Sequence, residues 1–255
     1  MNQNESIISF RDIKKQYGNF TALKSINLEI FKGELFGFLG PNGAGKTTLI
    51  RILTGIIQPS GGQIMIGKYD LFAQPDKAKA MLGYVPDRPY LYEKLTPLEY
   101  FEFMGGLYNV TPERILSKGE EMLRMFDLWE RRNELIESFS HGMKQKVAMS
   151  AAILHDPDIF VVDEPTVGLD PRSVKLAKDF FKRLIASGKT VFLTTHTLSV
   201  AQDLCDRIAI IRQGDIVALG DMKELQRRAS MPGNNLEDVF LKITEEELEQ
   251  HPSNL

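Results

Sequence analysis

Nine consecutive residues carry the densest chemistry in this chain: Gly40-Pro41-Asn42-Gly43-Ala44-Gly45-Lys46-Thr47-Thr48. They follow the apolar run Leu35-Phe36-Gly37-Phe38-Leu39 and lead into Leu49-Ile50-Arg51-Ile52-Leu53, which is the pattern of a loop joining a strand to a helix. Glycines at these positions let the backbone turn tightly and aim its N–H groups at phosphate oxygens, and the helix start adds the positive end of its dipole. In a G-x-x-x-x-G-K-T string the lysine, here Lys46, reaches the β- and γ-phosphates, and the hydroxyl of Thr47 holds Mg²⁺. The expected ligand is a nucleoside triphosphate.

Hydrolysing such a ligand needs an acid for the metal and a base for water. Ile159-Phe160-Val161-Val162-Asp163-Glu164 ends an apolar run with two adjacent carboxylates. Neighbouring strand residues point to opposite faces, so the two are free to take different roles. Asp163 is the candidate for Mg²⁺ and Glu164 for polarising the attacking water. His196 follows Val191-Phe192-Leu193-Thr194-Thr195. The carboxyl ends of parallel strands face the ligand crevice, which makes its imidazole a candidate contact to the γ-phosphate.

The elements that must position these groups are legible in outline. Alternating apolar and polar residues from Ile7 to Ile13 and from Ala22 to Ile30 predict half-buried antiparallel strands ahead of the loop. The continuous apolar runs at 159–162 and 190–194 sit between helical patterns and predict parallel strands covered on both faces. Residues 208–211 and 214–218 read as a closing hairpin with Arg212-Gln213-Gly214 at its turn. From Thr96 to about Phe139 helices take over: Thr96-Pro97-Leu98-Glu99 and Thr111-Pro112 each supply a helix start. Beyond Gly220 the chain is charged and helical, and residues 244–250 are acidic enough for a solvated helix or frayed end.

A chain of 255 residues can bury a core without disulfides or structural metal. With 31 basic and 34 acidic residues, its formal charge of -3 gives no global attraction to nucleic acid or an acidic membrane surface. The single cysteine, Cys205, sits in a stretch that reads as helical and suits core packing in a reducing compartment. The polar start Met1-Asn2-Gln3-Asn4-Glu5 does not read as a secretory signal, and the longest apolar runs fall well short of the ~20 residues a spanning helix needs. A membrane role is therefore expected to run through a partner.

In this order, the loop at 40–48, the strand end at 159–164, Gly168-Leu169-Asp170 and His196 resemble the Walker A, Walker B, D-loop and switch histidine of ATP-binding-cassette ATPases. Between them Phe139-Ser140-His141-Gly142-Met143-Lys144-Gln145 is similar to that family's signature, usually Leu-Ser-Gly-Gly-Gln. The resemblance implies an α/β fold: a P-loop NTPase parallel sheet core with an N-terminal antiparallel β-layer and an inserted α-helical subdomain. Residues 1–86 and 140–220 are then the ATP-binding core, 87–139 the helical subdomain and 221–255 a helical tail.

It implies further that ATP and Mg²⁺ bind here, with Tyr17 stacking on adenine and the whole loop 40–48 on the phosphates. Ser140 and Gly142 are carried over as contacts to the γ-phosphate held by a second nucleotide-binding subunit, and Asp170 is placed at the dimer seam. One loop and one signature make this chain half of a head-to-tail dimer, a homodimer or a heterodimer with a similar subunit. The metal would be held by Thr47, Asp163 and Asp87, the last standing where the family usually has glutamine. A carboxylate accepts the metal but cannot donate a hydrogen bond, so Asp87 bears on coupling more than on binding.

The function expected from the resemblance is the ATP-hydrolysing subunit of a transporter, an exporter, working with integral membrane permease subunits at the cytoplasmic face of the cell membrane, with no nucleic-acid partner. The signature and Asn234-Asn235-Leu236-Glu237-Asp238-Val239-Phe240-Leu241 point to the exporter group, and Pro89-Tyr90-Leu91-Tyr92 lies where the family docks its membrane subunit. The alternatives are a soluble non-transport cassette ATPase and a non-hydrolysing regulatory module, the second prompted by Asp87 and the altered signature.

Overall fold

The computed structural model describes residues 5–250. The opening Met1-Asn2-Gln3-Asn4 stretch and the tail beyond Gln250, on which the signal-peptide and tail expectations partly rest, lie outside the described residues. In chain order the elements begin β1 (Ser6–Tyr17), β2 (Phe20–Phe31), β3 (Leu35–Leu39), α1 (Lys46–Leu53), β4 (Gly61–Ile66), β5 (Tyr69–Asp70) and α2 (Pro75–Ala80). Then come β6 (Leu82–Val85), α3 (Pro97–Leu107), α4 (Pro112–Met125), α5 (His141–Ala152), β7 (Ile159–Asp163) and α6 (Pro171–Ala186). The chain closes with β8 (Thr190–Thr195), α7 (Leu198–Leu204), β9 (Arg207–Arg212), β10 (Asp215–Gly220), α8 (Met222–Arg228) and α9 (Leu236–Gln250).

These elements form two compact units, Met1–Lys79 with Thr190–Leu255, and Ala80–Lys189. In the first, strands run in the order β10-β9-β3-β8, with β3 parallel to both β8 and β9. β3 is buried along its whole length, as a strand covered on both faces must be. Its Phe36 and Phe38 stack on Phe192 of β8 at centroid distances of 5.8 and 5.9 Å, and all three rings are fully buried. Full burial of one such ring contributes roughly 2–3 kcal/mol.

The antiparallel layer of the same unit runs β2-β1-β4-β5. The β9–β10 hairpin closes through Gln213 and Gly214, with φ of 46° and 77°. Two left-handed residues in succession make the turn whose twist matches the flanking strands.

In the second unit, β6 pairs in parallel with β7, which is buried throughout. α3 starts as the sequence predicts. Thr96 accepts from the Glu99 N–H, and the Glu99 carboxylate accepts from the Thr96 N–H at 2.8 Å. Thr111 caps α4 ahead of Pro112, its hydroxyl accepting from the Arg114 N–H at 3.4 Å. α6 is amphipathic: Ala177, Phe180, Phe181 and Leu184 are buried, and Phe160 of β7 meets Phe180 edge-on at 5.3 Å.

Cys205 departs from its expected setting. α7 stops at Leu204, and Cys205 takes up extended backbone as the residue that ends it. It does pack, as expected, against the apolar cluster of the first unit. Among the described residues, no helix is long and apolar enough to cross a membrane.

Candidate functional site

The first unit builds the phosphate end. β3 delivers the chain to Gly40, and α1 begins six residues later with Gly45 as its N-cap at φ 114°. Side chains cap the starts of α3, α4, α5, α6 and α8, but Gly45 has none to offer. The start of α1 thus carries no side-chain cap, and its dipole favours an anion there. Lys46 is buried, and its ammonium donates to Gly40 O at 2.6 Å and Pro41 O at 3.2 Å, drawing the loop over the helix start. Pro41, Asn42, Gly43 and Thr47 are exposed, Thr48 is half-buried and Ala44 is buried.

Close packing explains the glycines at both ends of this loop. A Cβ on Gly40 would lie 2.3 Å from Ile211 O, and one on Gly45 would lie 2.8 Å from both Ala22 O and Leu23 Cδ2. The hairpin turn grips the loop through its backbone: Gly214 N–H donates to Ala44 O and Lys24 N–H to Gly214 O, each at 2.9 Å. Gly45→Ala combines this overlap with a left-handed backbone. It should cost about 2 kcal/mol or more in urea unfolding and remove ATP binding with it.

Beside the loop opens a cavity of ≈ 350 Å³ lined by Phe20, Thr21, Ala22, Lys24, Gly43, Gln213 and Gly214. Tyr17 does not line it. It ends β1, is 46% exposed, pairs with Phe20 across the strands and carries the Lys15 ammonium 5.0 Å from its ring centre. Phe20, 63% exposed, is an aromatic on the cavity that sequence reasoning missed. Its position three residues after Tyr17, on the paired strand, was the available signal. His196, also in this unit, is exposed at the carboxyl end of β8, and the Thr197 N–H folds back onto Thr195 Oγ1 at 2.9 Å.

The second unit carries the carboxylates and the signature. Asp163 is the buried last residue of β7. Glu164 lies outside the strand, half-buried, with a left-handed backbone at φ 50°. Strand alternation is therefore not what separates the two carboxylates. A turn does, with the Val167 N–H donating to Glu164 O at 3.3 Å and the Leu169 N–H to Thr166 O at 3.3 Å. A left-handed residue that is not glycine stores roughly 1–3 kcal/mol of strain, and such residues gather at functional sites.

Asp170 caps α6 by accepting from the Ser173 N–H at 3.0 Å and its hydroxyl at 2.6 Å. Those bonds hold its carboxyl below the usual aspartate range. Ser140 caps α5, its hydroxyl accepting from the Met143 N–H at 3.4 Å. Gly142 sits so close to the turn that a Cβ there would meet Leu169 Cδ2 at 3.0 Å, and one on Gly168 would meet His141 Cδ2 at 3.2 Å. The signature and the turn after Asp163 thus lie against each other. Burial pushes the Lys146 ammonium pKa down, against the pull of Asp170 and Asp127. Asp87, two residues past β6, is half-buried.

A phosphate-cradling loop, a serine-capped signature helix and a buried strand-end aspartate in this order suit one family, and that family, described as ABC transporter, matches residues 23–167. This chain belongs to the ABC transporter family. The linearmycin resistance ATP-binding protein LnrL of Bacillus subtilis (strain 168) is 40% identical over 222 residues, which span 87% of this chain and 71% of that protein. Among solved structures, one titled as the ATP binding subunit of an ABC transporter superposes with a TM-score of 0.89 at 30% identity, covering 94% of this chain and 100% of the other. Another is the dimeric ATP-binding cassette MJ0796 in a post-hydrolysis state bound to ADP and Pi, with a TM-score of 0.77 at 27% identity, covering 84% and 98%.

The fold is accordingly that of the ABC ATPases, a parallel core with an antiparallel β-layer and inserted helices. The chain is an ATP-binding, ATP-hydrolysing subunit of an ABC transporter.

Proposed function

We propose that this ABC ATPase drives an exporter, working as a head-to-tail dimer at the cytoplasmic face of the cell membrane through separate integral membrane subunits. The export reading is supported by the linearmycin-resistance relative and by others named for daunorubicin resistance and Nod factor export. Residues 1–86 and 140–220 serve as ATP-binding core, 87–139 as helical subdomain and 221–255 as tail. Tyr90 and Tyr92, 93% and 59% exposed, are assigned to the surface that receives the membrane subunit.

In the proposed reaction, Lys46 and the N–H groups of 40–48 hold the β- and γ-phosphates. Glu164 takes a proton from the attacking water, and His196 steadies the γ-phosphate as negative charge moves onto it. Tyr17 is assigned to the adenine, with Phe20 beside it. Thr47, Asp163 and Asp87 offer a set of oxygen donors only, which fits Mg²⁺. When bound, the metal neutralises developing phosphate charge.

One observation carries the dimer: among the described residues, one phosphate loop leading into α1 at Lys46 accompanies one serine-capped signature helix at Ser140. In a head-to-tail pair, Ser140, Gly142 and Asp170 act on the partner's nucleotide. Turnover per molecule should then fall as the protein is diluted and recover on concentration. Constant specific activity down to monomer concentrations, checked by light scattering, would refute the shared site.

A further inference from the structure

The strand that leads to His196 hands over to a helix almost at once. β8 ends at Thr195, His196 follows, and α7 begins at Leu198. This short helix is anchored on several sides. At its end the Cys205 N–H donates to Ala201 O at 2.9 Å, and the Cys205 thiol lies so near β3 that a Cβ on Gly37 would meet Sγ at 2.7 Å. On its inner face Ala201 is fully buried, in one cluster with Leu39, the residue before Gly40, and with Ile208 and Ile210.

The remaining anchor comes from the far end of the sequence. Gln202 Oε1 accepts from the N–H of Leu236, the first residue of α9, at 2.6 Å. A helix start leaves its first N–H groups without partners in the helix. Asn235 satisfies one of them, its Oδ1 accepting from the Asp238 N–H at 2.9 Å, and Gln202 satisfies that of Leu236. Leu236, Val239 and Ile243 then bury into the same cluster as Ala201 and Leu39. The polar tie fixes the register in which α9 lies on α7. Apolar packing by itself is non-directional.

We propose that Gln202 is a positioning residue for His196: by clamping α9 onto α7, it fixes the loop that presents the imidazole. The inference rests on the reading of His196 as the γ-phosphate contact. Releasing the clamp leaves the phosphate loop and Glu164 as they were. It lets α7, and with it His196, shift from the geometry that hydrolysis requires.

The test is steady-state ATP turnover by the full chain as Gln202→Ala, Gln202→Glu and His196→Ala, with thermal midpoints measured alongside. Gln202→Ala should lower kcat about tenfold, since a misplacement of about 1 Å in a catalytic group is worth up to ~10². KM for ATP should stay within about twofold, because ground-state binding is untouched. Gln202→Glu keeps an acceptor oxygen and places negative charge at a helix start, so it should restore the parental kcat. If kcat and KM worsen together with a fallen thermal midpoint, and Glu does not rescue, the residue is merely structural and the clamp is overturned. Parental kcat in Gln202→Ala beside an inactive His196→Ala also overturns the clamp, while leaving the histidine's role intact. Parental turnover in His196→Ala overturns the underlying reading instead.

Discussion

Glu164→Gln is expected to lower ATP turnover by about 10²–10⁴, the usual contribution of a positioned general base, while leaving ATP binding intact. Glutamine has the same length and nearly the same volume, so the turn at 164–167 and its bond from the Val167 N–H survive. What is lost is a site for the proton of the attacking water, because an amide does not accept one at neutral pH. Binding energy that closes the dimer is then not discharged, and an ATP-loaded dimer should accumulate, visible by size exclusion in the presence of Mg²⁺ and ATP. Turnover at the parental rate would remove Glu164 from the reaction. Asp163→Asn makes the contrast, since its expected defect is a raised Mg²⁺ requirement.

The backbone setting of Glu164 was not visible in the string Val162-Asp163-Glu164-Pro165. Alternation along a strand predicts two carboxylates on opposite faces, but β7 ends at Asp163 and Glu164 turns out of it at φ 50°. Nothing about a glutamate before a proline announces a left-handed backbone, which is held by the turn around it. Features whose determinants are local were legible: the spacing from Gly40 to Lys46, the Thr96-Pro97-Glu99 helix start, and the hairpin at Gln213-Gly214. Each is settled within a few residues by hydrogen-bond geometry and backbone sterics. What stayed hidden joins residues distant in sequence. The grip of Gly214 on Ala44, the overlap of Gly40 with Ile211, and the tie from Gln202 to Leu236 all depend on tertiary packing that periodicity does not encode. Cys205 illustrates the same limit at short range, because its helix stops one residue earlier than its apolar pattern suggests.

Lys46→Ala should have the largest effect on binding. The ammonium lies under the loop, donating to Gly40 O and Pro41 O at 2.6 and 3.2 Å, so it both shapes the cradle and supplies its positive charge. A hydrogen bond to a charged group contributes roughly 1.5–3 kcal/mol, and a lysine spanning two phosphates makes more than one. ATP affinity should therefore fall by about 10² or more. The helix itself should tolerate the change, since alanine is the best helix former and Lys46 is the first residue of α1. Circular dichroism and urea unfolding then separate a lost ligand contact from a lost fold. Calorimetric titration with ATP reads the affinity directly, and adenosine supplies the internal control. Adenosine carries no phosphate, so any weak binding through the base should be equal in parent and variant. A parental ATP affinity in Lys46→Ala would show that the cradle at the start of α1 holds something other than the β- and γ-phosphates. An equal loss for ATP and adenosine would trace the effect to collapse of the loop, because only the charged contacts distinguish the two ligands.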